Sequence, residues 1–149
     1  QAMPVQDNTT AFGYRNGGDF FYLARYGFIQ KYNLEGRLIS SFNAGGTIGG
    51  VAVTSIFNNQ LGEYLIVGRS GAPGLTFVYT TGGSVVGSFL VPGNGTYGNC
   101  VGPGTPGYGV TYWCNSFLNN ARWAFQIDIG GTQIGVQPAS YGRIKTIYR

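Results

Sequence analysis

Histidine is absent from this 149-residue chain, and with it go the usual general base near neutral pH, the proton shuttle and the commonest metal ligand. Acids are scarce as well: Asp7, Asp19, Glu35, Glu63 and Asp128 are the whole complement. Their spacing brings no two carboxylates together in the way glycoside hydrolysis requires. Asp128, inside the apolar run "FQIDIGG", is the most unusual of the five and is expected to face solvent. There is no G-x-S-x-G elbow, and a serine triad would lack its base. "GNGTYG" and "GRSGAPG" are glycine-rich, but neither carries the Lys-Ser/Thr of a phosphate loop or opens a helix, so both read as turns. The expectation is a protein that is not an enzyme and uses no metal and no cofactor.

Charge is sparse too. Charged residues make up 9% of the chain, and the net +4 comes from nine scattered lysines and arginines. A nucleic-acid footprint clusters its basic residues, so no nucleic-acid partner is expected. No apolar run approaches the roughly 20 residues of a membrane helix, and no membrane span is expected. Helical signals are nearly absent, and β-branched and aromatic residues dominate the chain.

Cysteine appears twice. Cys100 and Cys114 enclose thirteen residues that include "GPGTPGYG", a segment suited to turning back. If the flanking strands pair, the thiols are expected to form a disulfide, which at this loop size contributes about 3 kcal/mol in the chain-entropy model. That predicts an oxidising compartment; two buried thiols in a cytosolic chain are the alternative. Two Asn-x-Thr sequons, at Asn8 and Asn94, agree with export and N-glycosylation. Gln1 in place of Met suggests a processed N-terminus. Together these predict a secreted, extracellular or cell-surface glycoprotein.

What the chain does have is glycine, β-branched residues and aromatics: 27 Gly, 11 Tyr, 10 Phe and 2 Trp. It also repeats itself. "YNLEGRLISSF" at 32–42 returns as "YTTGGSVVGSF" at 79–89, and a worn copy, "IDIGGTQIGV", occupies 127–136. Gly36, Gly83 and Gly131 are thus 47 and 48 residues apart (83 − 36 and 131 − 83). In the best copy, "GGVAVTSIF", "EYLIVGR", "LTFVYTT" and "SVVGSFLV" read as four short strands separated by Asn, Gly or Pro turns. The repeated glycines are expected to supply the positive φ of primed hairpin turns between third and fourth strands. The fold class predicted is all-β: about three four-stranded antiparallel blades in one domain, an incomplete propeller or an open solenoid-like array. Residues 1–12 read as an N-terminal arm or tail, and 13–149 as a single domain of three repeats, about 13–46, 47–94 and 95–149.

A four-strand period of 40 to 50 residues is characteristic of propeller blades. The run "YLIVGRSGAPGLTFVYTTGGSVVGSF" resembles β-propellers of the NHL and YWTD type, in which a strand ending near an Arg leads to a hairpin and a closing Phe. The Asp and Trp-Asp signatures of named blade families are missing, so the resemblance implies architecture and no functional residue.

Closed propellers need about four to eight blades. Three leave two terminal sheets, whose flat apolar faces are expected to be covered by copies of the same chain. The expected function is a self-assembling structural subunit of an extracellular filament, sheath or surface layer, a homo-oligomer or polymer held by strand pairing and low-charge aromatic interfaces. The alternative is a lectin-like propeller assembled from few-blade subunits, with glycans as partners. Its expected binding surface gathers Tyr108, Tyr112, Trp113, Asn119, Arg122 and Trp123. A lectin would repeat such residues in each blade, and this chain does not, which favours the structural reading.

Overall fold

The computed structural model describes residues 9–14, 18–71, 73–103, 110–130 and 136–139. Strands run β1 (Thr9–Tyr14), β2 (Phe20–Arg25), β3 (Phe28–Asn33), β4 (Leu38–Asn43), β5 (Ile48–Phe57), β6 (Gln60–Arg69), β7 (Gly74–Thr80), β8 (Val85–Val91), β9 (Asn94–Pro103), β10 (Val110–Leu118), β11 (Ala121–Asp128) and β12 (Val136–Ala139). Among the described residues there is no helix. They form three antiparallel meanders: sheet A, β1-β2-β3-β4; sheet B, β5-β6-β7-β8; and sheet C, β12-β11-β10-β9. The three sheets are not equal blades. β12 is only four residues long, and no sheet closes on itself.

Successive sheets stack on one another. β1 lies against β5, and β5 against β9. The alternation of strand side chains makes sheet B two-faced. Val51, Val53, Leu65, Val67 and Tyr79 join Tyr22, Ala24 and Ile29 of sheet A in one core. The intervening Ala52, Ile66 and Val78 join Tyr112, Cys114, Phe125 and Ile127 of sheet C in a second. This is why "VAV" and "LIV" are apolar at every position: a sheet covered on both faces has no polar side.

The repeat is explained by these junctions. Phe42, on β4, packs on Tyr79 of sheet B, with ring centroids 5.4 Å apart. Phe89, its counterpart on β8, meets Tyr112 of sheet C edge-on at 5.7 Å. Each of the first two repeats thus ends by laying a phenylalanine on a tyrosine of the next sheet.

Gly36 and Gly83 do occupy the β3–β4 and β7–β8 turns, but not as primed pairs. Each turn has one left-handed residue, Gly36 at φ 81° and Gly83 at φ 91°. The preceding Asn33 and Thr80 fasten the turns with their side chains, Asn33 Oδ1 accepting from Arg37 N and Thr80 Oγ1 from Ser84 N. This is a wider loop with a glycine bulge. The hairpin turns with two left-handed residues lie elsewhere, at Tyr26-Gly27, Asn58-Asn59 and Asn119-Asn120, and Gly45-Gly46 in the β4–β5 connection is left-handed at both positions too. Gly131 lies outside the described residues.

Arg69 ties the connection between sheets A and B. Its guanidinium donates to the carbonyls of Ala44 and Gly45 and, at 3.0 Å, to the Tyr79 hydroxyl. Tyr79 in turn donates to Ala44 O at 3.1 Å. Glu63 adds a second tie, accepting from the Tyr22 hydroxyl at 2.5 Å, with Lys31 Nζ 3.9 Å away.

Candidate binding surface

Sheet C holds most of the residues expected to bind, and its alternation sorts them. On β10, Tyr112, Cys114 and Ser116 turn toward sheet B and are buried. Trp113, Asn115 and Phe117 turn the other way. Across the ladder, Trp113 faces Gln126, Asn115 faces Ala124, and Phe117 faces Arg122. The Arg122 guanidinium carbon is 4.8 Å from the Phe117 ring centroid, and Tyr97 meets the same ring edge-on at 6.3 Å. The outer face of sheet C is therefore a flat strip with aromatics at Trp113 and Phe117, a low floor at Ala124, and amide and guanidinium groups between them. Such a mixture suits stacking plus planar hydrogen bonding.

Of the expected residues, the structure brings Trp113 and Arg122 onto this face. Tyr112 is fully buried and belongs to the core between sheets B and C. Trp123 packs against that same core, its indole N–H donating to Leu118 O at 3.2 Å. Asn119 is consumed by the β10–β11 turn, at φ 51°. Tyr108 lies outside the described residues. Phe117 and Gln126 were not expected as members, although period-two reading of "YWCNSF" from a buried Tyr112 places Trp113, Asn115 and Phe117 on one face.

The expected disulfide is absent: Cys100 and Cys114 are free thiols. They do sit on neighbouring strands, but Cys100 is directly opposite Trp113. Cys114 is one residue out of register, and in a strand one residue reverses the face. Cys100 is consequently exposed and Cys114 buried. Burial pushes the Cys114 thiol up to about 12 and the fully buried Tyr112 hydroxyl well above its ordinary value. Cys100 also rises through partial burial.

The acids engage in structure. Glu63 bridges sheets A and B, Asp128 Oδ1 accepts from Gly130 N at 3.0 Å in a local turn, and Asp19 and Glu35 are exposed. Among the described residues no three His, Cys, Asp or Glu side chains gather as a metal site, and no helix is long and apolar enough to cross a membrane. Asn94 is exposed at the start of β9, while Thr96 of its sequon is buried, its Oγ1 accepting from Thr76 at 3.3 Å. Asn8 lies outside the described residues. Thr9 to Phe12, at the end of the expected arm, lie in β1 and pair with β2.

Exposed apolar surface concentrates at strand edges rather than on the end faces. Phe21 and Tyr32, on the face of sheet A turned from sheet B, stack at 5.4 Å and are 3% and 8% exposed. By contrast, among the described residues, five of the ten large exposed apolar side chains lie on β4 and β8: Leu38, Ile39, Val85, Val86 and Leu90. Those are the outermost strands of sheets A and B.

No protein-family model matches this chain, and no curated protein matches it.

Proposed function

We propose that the protein is a self-assembling structural subunit, exported to form an extracellular filament, sheath or surface layer, and that its three sheets are the blades of an incomplete propeller. One observation carries this reading: two of the three sheets end in uncharged strands whose protection, among the described residues, is a single β-bulge each, at Ile39 and at Val86. β4, "LISSFN", and β8, "VVGSFLV", contain no charge and no proline, and they have no further ladder partner among the described residues. Edges without charge or proline are templates for pairing with another chain, and soluble monomers ordinarily place Lys or Pro there. β12, the outer strand of sheet C, does contain Pro138. Light scattering and negative-stain microscopy of the purified chain at micromolar concentration test the proposal. Ordered oligomers or polymers are expected; a monodisperse monomer would overturn it.

A second reading, glycan binding, is favoured by the strip of Trp113, Gln126, Asn115 and Arg122 on sheet C. Its counterparts elsewhere are apolar: Trp113 and Gln126 correspond to the buried pair Ile66 and Val78 of sheet B. A glycan array decides it, with broad silence removing this reading.

A further inference from the structure

We infer that two copies of the chain join through β8, antiparallel and related by a two-fold axis at Ser88, so that two copies of sheet B become one eight-stranded sheet. The inference rests on the self-assembly reading and names the surface that performs it. β8 pairs with β7 on one side, with Leu75 opposite Leu90, Thr76 opposite Phe89, Phe77 opposite Ser88 and Val78 opposite Gly87; beyond Gly87 the ladder slips by one, Tyr79 facing Val85, so that Val86 is a bulged residue with no partner on β7. Its other side is the free edge of sheet B, where the same ladder can continue into another copy.

The sequence of β8 is self-complementary about Ser88. Ser88 and Leu90 share one face, and Val86, the bulged residue, stands exposed beside them. Val86 is 44% exposed and Leu90 57% exposed, more surface than an uncharged edge ordinarily leaves wet. In a two-fold pairing centred on Ser88, each Val86 stands opposite the other copy's Leu90, and each Leu90 opposite the other copy's Val86. Two apolar cross-strand pairs are covered at once, and neighbouring apolar pairs of this kind are the unit of sheet stabilisation. On the opposite face, Gly87 meets Phe89 of the second copy, so no bulky side chains collide there. No charge lies within the strand to repel its symmetric equivalent. On β4 the centre that sets apolar residues opposite each other is Ser40, which puts Leu38 against Phe42, and Phe42 is already laid on Tyr79 of sheet B. An isologous contact of this form needs one surface only, which is why a two-fold dimer is its natural product.

Two variants test the pairing. Val86→Lys/Leu90→Lys places like charges opposite each other across the axis, and both positions are exposed in the single chain, so the fold is retained. The apparent association constant, read by sedimentation, is expected to fall by about a hundredfold, whereas Leu61→Lys, at an exposed site away from β8, leaves it unchanged. Register is read separately in a Cys100→Ser background. Ser88→Cys brings two Cα atoms to about 5 Å across the axis and is expected to cross-link on oxidation. Leu90→Cys leaves its partners about 13 Å apart and does not. If the chain assembles but the double-lysine variant assembles equally well, or Ser88→Cys fails to cross-link, the β8 pairing is overturned while self-assembly stands. A chain that never associates overturns the self-assembly reading itself.

Discussion

Among single residues, the two thiols and the repeated glycine have the clearest consequences. Cys100 and Cys114 differ in face alone, so iodoacetamide is expected to alkylate Cys100 in the native protein and to reach Cys114 after unfolding, as peptide mass mapping would show. The same burial makes stability pH-dependent. Cys114 is held neutral with its thiol pushed up to about 12, so its contribution is complete below the unfolded thiol value of about 8.5. It is lost as pH rises from there toward 12, and Tyr112, also held neutral, acts with the same sign. Urea midpoints measured across that range should fall steadily, and Cys114→Val should flatten the decline. Gly83 is fixed by two constraints. It has φ 91°, and a Cβ there would stand 2.7 Å from Phe42 Cγ. Gly83→Ala therefore combines left-handed strain of about 1–2 kcal/mol with displacement of the ring that closes the junction between sheets A and B. Chemical denaturation should show at least that loss.

At the scale of elements, strands were legible and turns were less so. Alternation in "LTFVYTT" and "RWAFQIDI" marks their buried faces, because burial on one side enforces period two. Thus Trp123, Phe125, Ile127 and Ile129 do share a face. The disulfide failed, and Tyr112 and Trp123 fall outside the aromatic surface, for one reason. Both depend on which face a residue takes, and "CNSF" or "YWCN" read without register cannot say whether Tyr112 or Trp113 is the one that points inward. The primed turns were missed because Asn58-Asn59 and Asn119-Asn120 lack the glycine that makes such pairs conspicuous, although Asn tolerates left-handed backbone well. Their role is testable: Asn59→Ala puts a methyl group at φ 61° and should cost about 1 kcal/mol, while Asn59→Gly should be neutral or stabilising. Thermal melts of the two variants would separate them. Close approach left a further trace in "GG". A Cβ on Gly50 would lie 2.5 Å from Asn99 Cγ, and one on Gly68 2.8 Å from Asn99 Nδ2. Glycine therefore stands where sheet C comes nearest to sheet B.

For the molecule as a whole, the ties between sheets matter more than any strand. Arg69 grips two carbonyls of the Ala44–Gly45 connection while lying over Phe77, with its guanidinium carbon 5.1 Å from the ring centroid. Arg69→Lys loses the two-pronged grip and should destabilise by about 1.5–3 kcal/mol, the range for hydrogen bonds to charged groups. Hydrogen exchange should quicken first in residues 44–48 and in the facing strands of sheet A, with sheet C little changed. That pattern would identify the junction rather than the strands as the weak link. The three-part organisation itself was readable from the 47-residue spacing. The reason for it was not, since Phe42, Phe89 and their tyrosine seats lie in different repeats and meet only once the sheets are stacked. This arrangement makes the molecule modular in its growth. A duplicated unit spliced in after Val91 would bring its own ring to lay on the following layer and its own seat to receive the preceding one. Tandem copying could lengthen this protein one layer at a time without redesigning any existing seam.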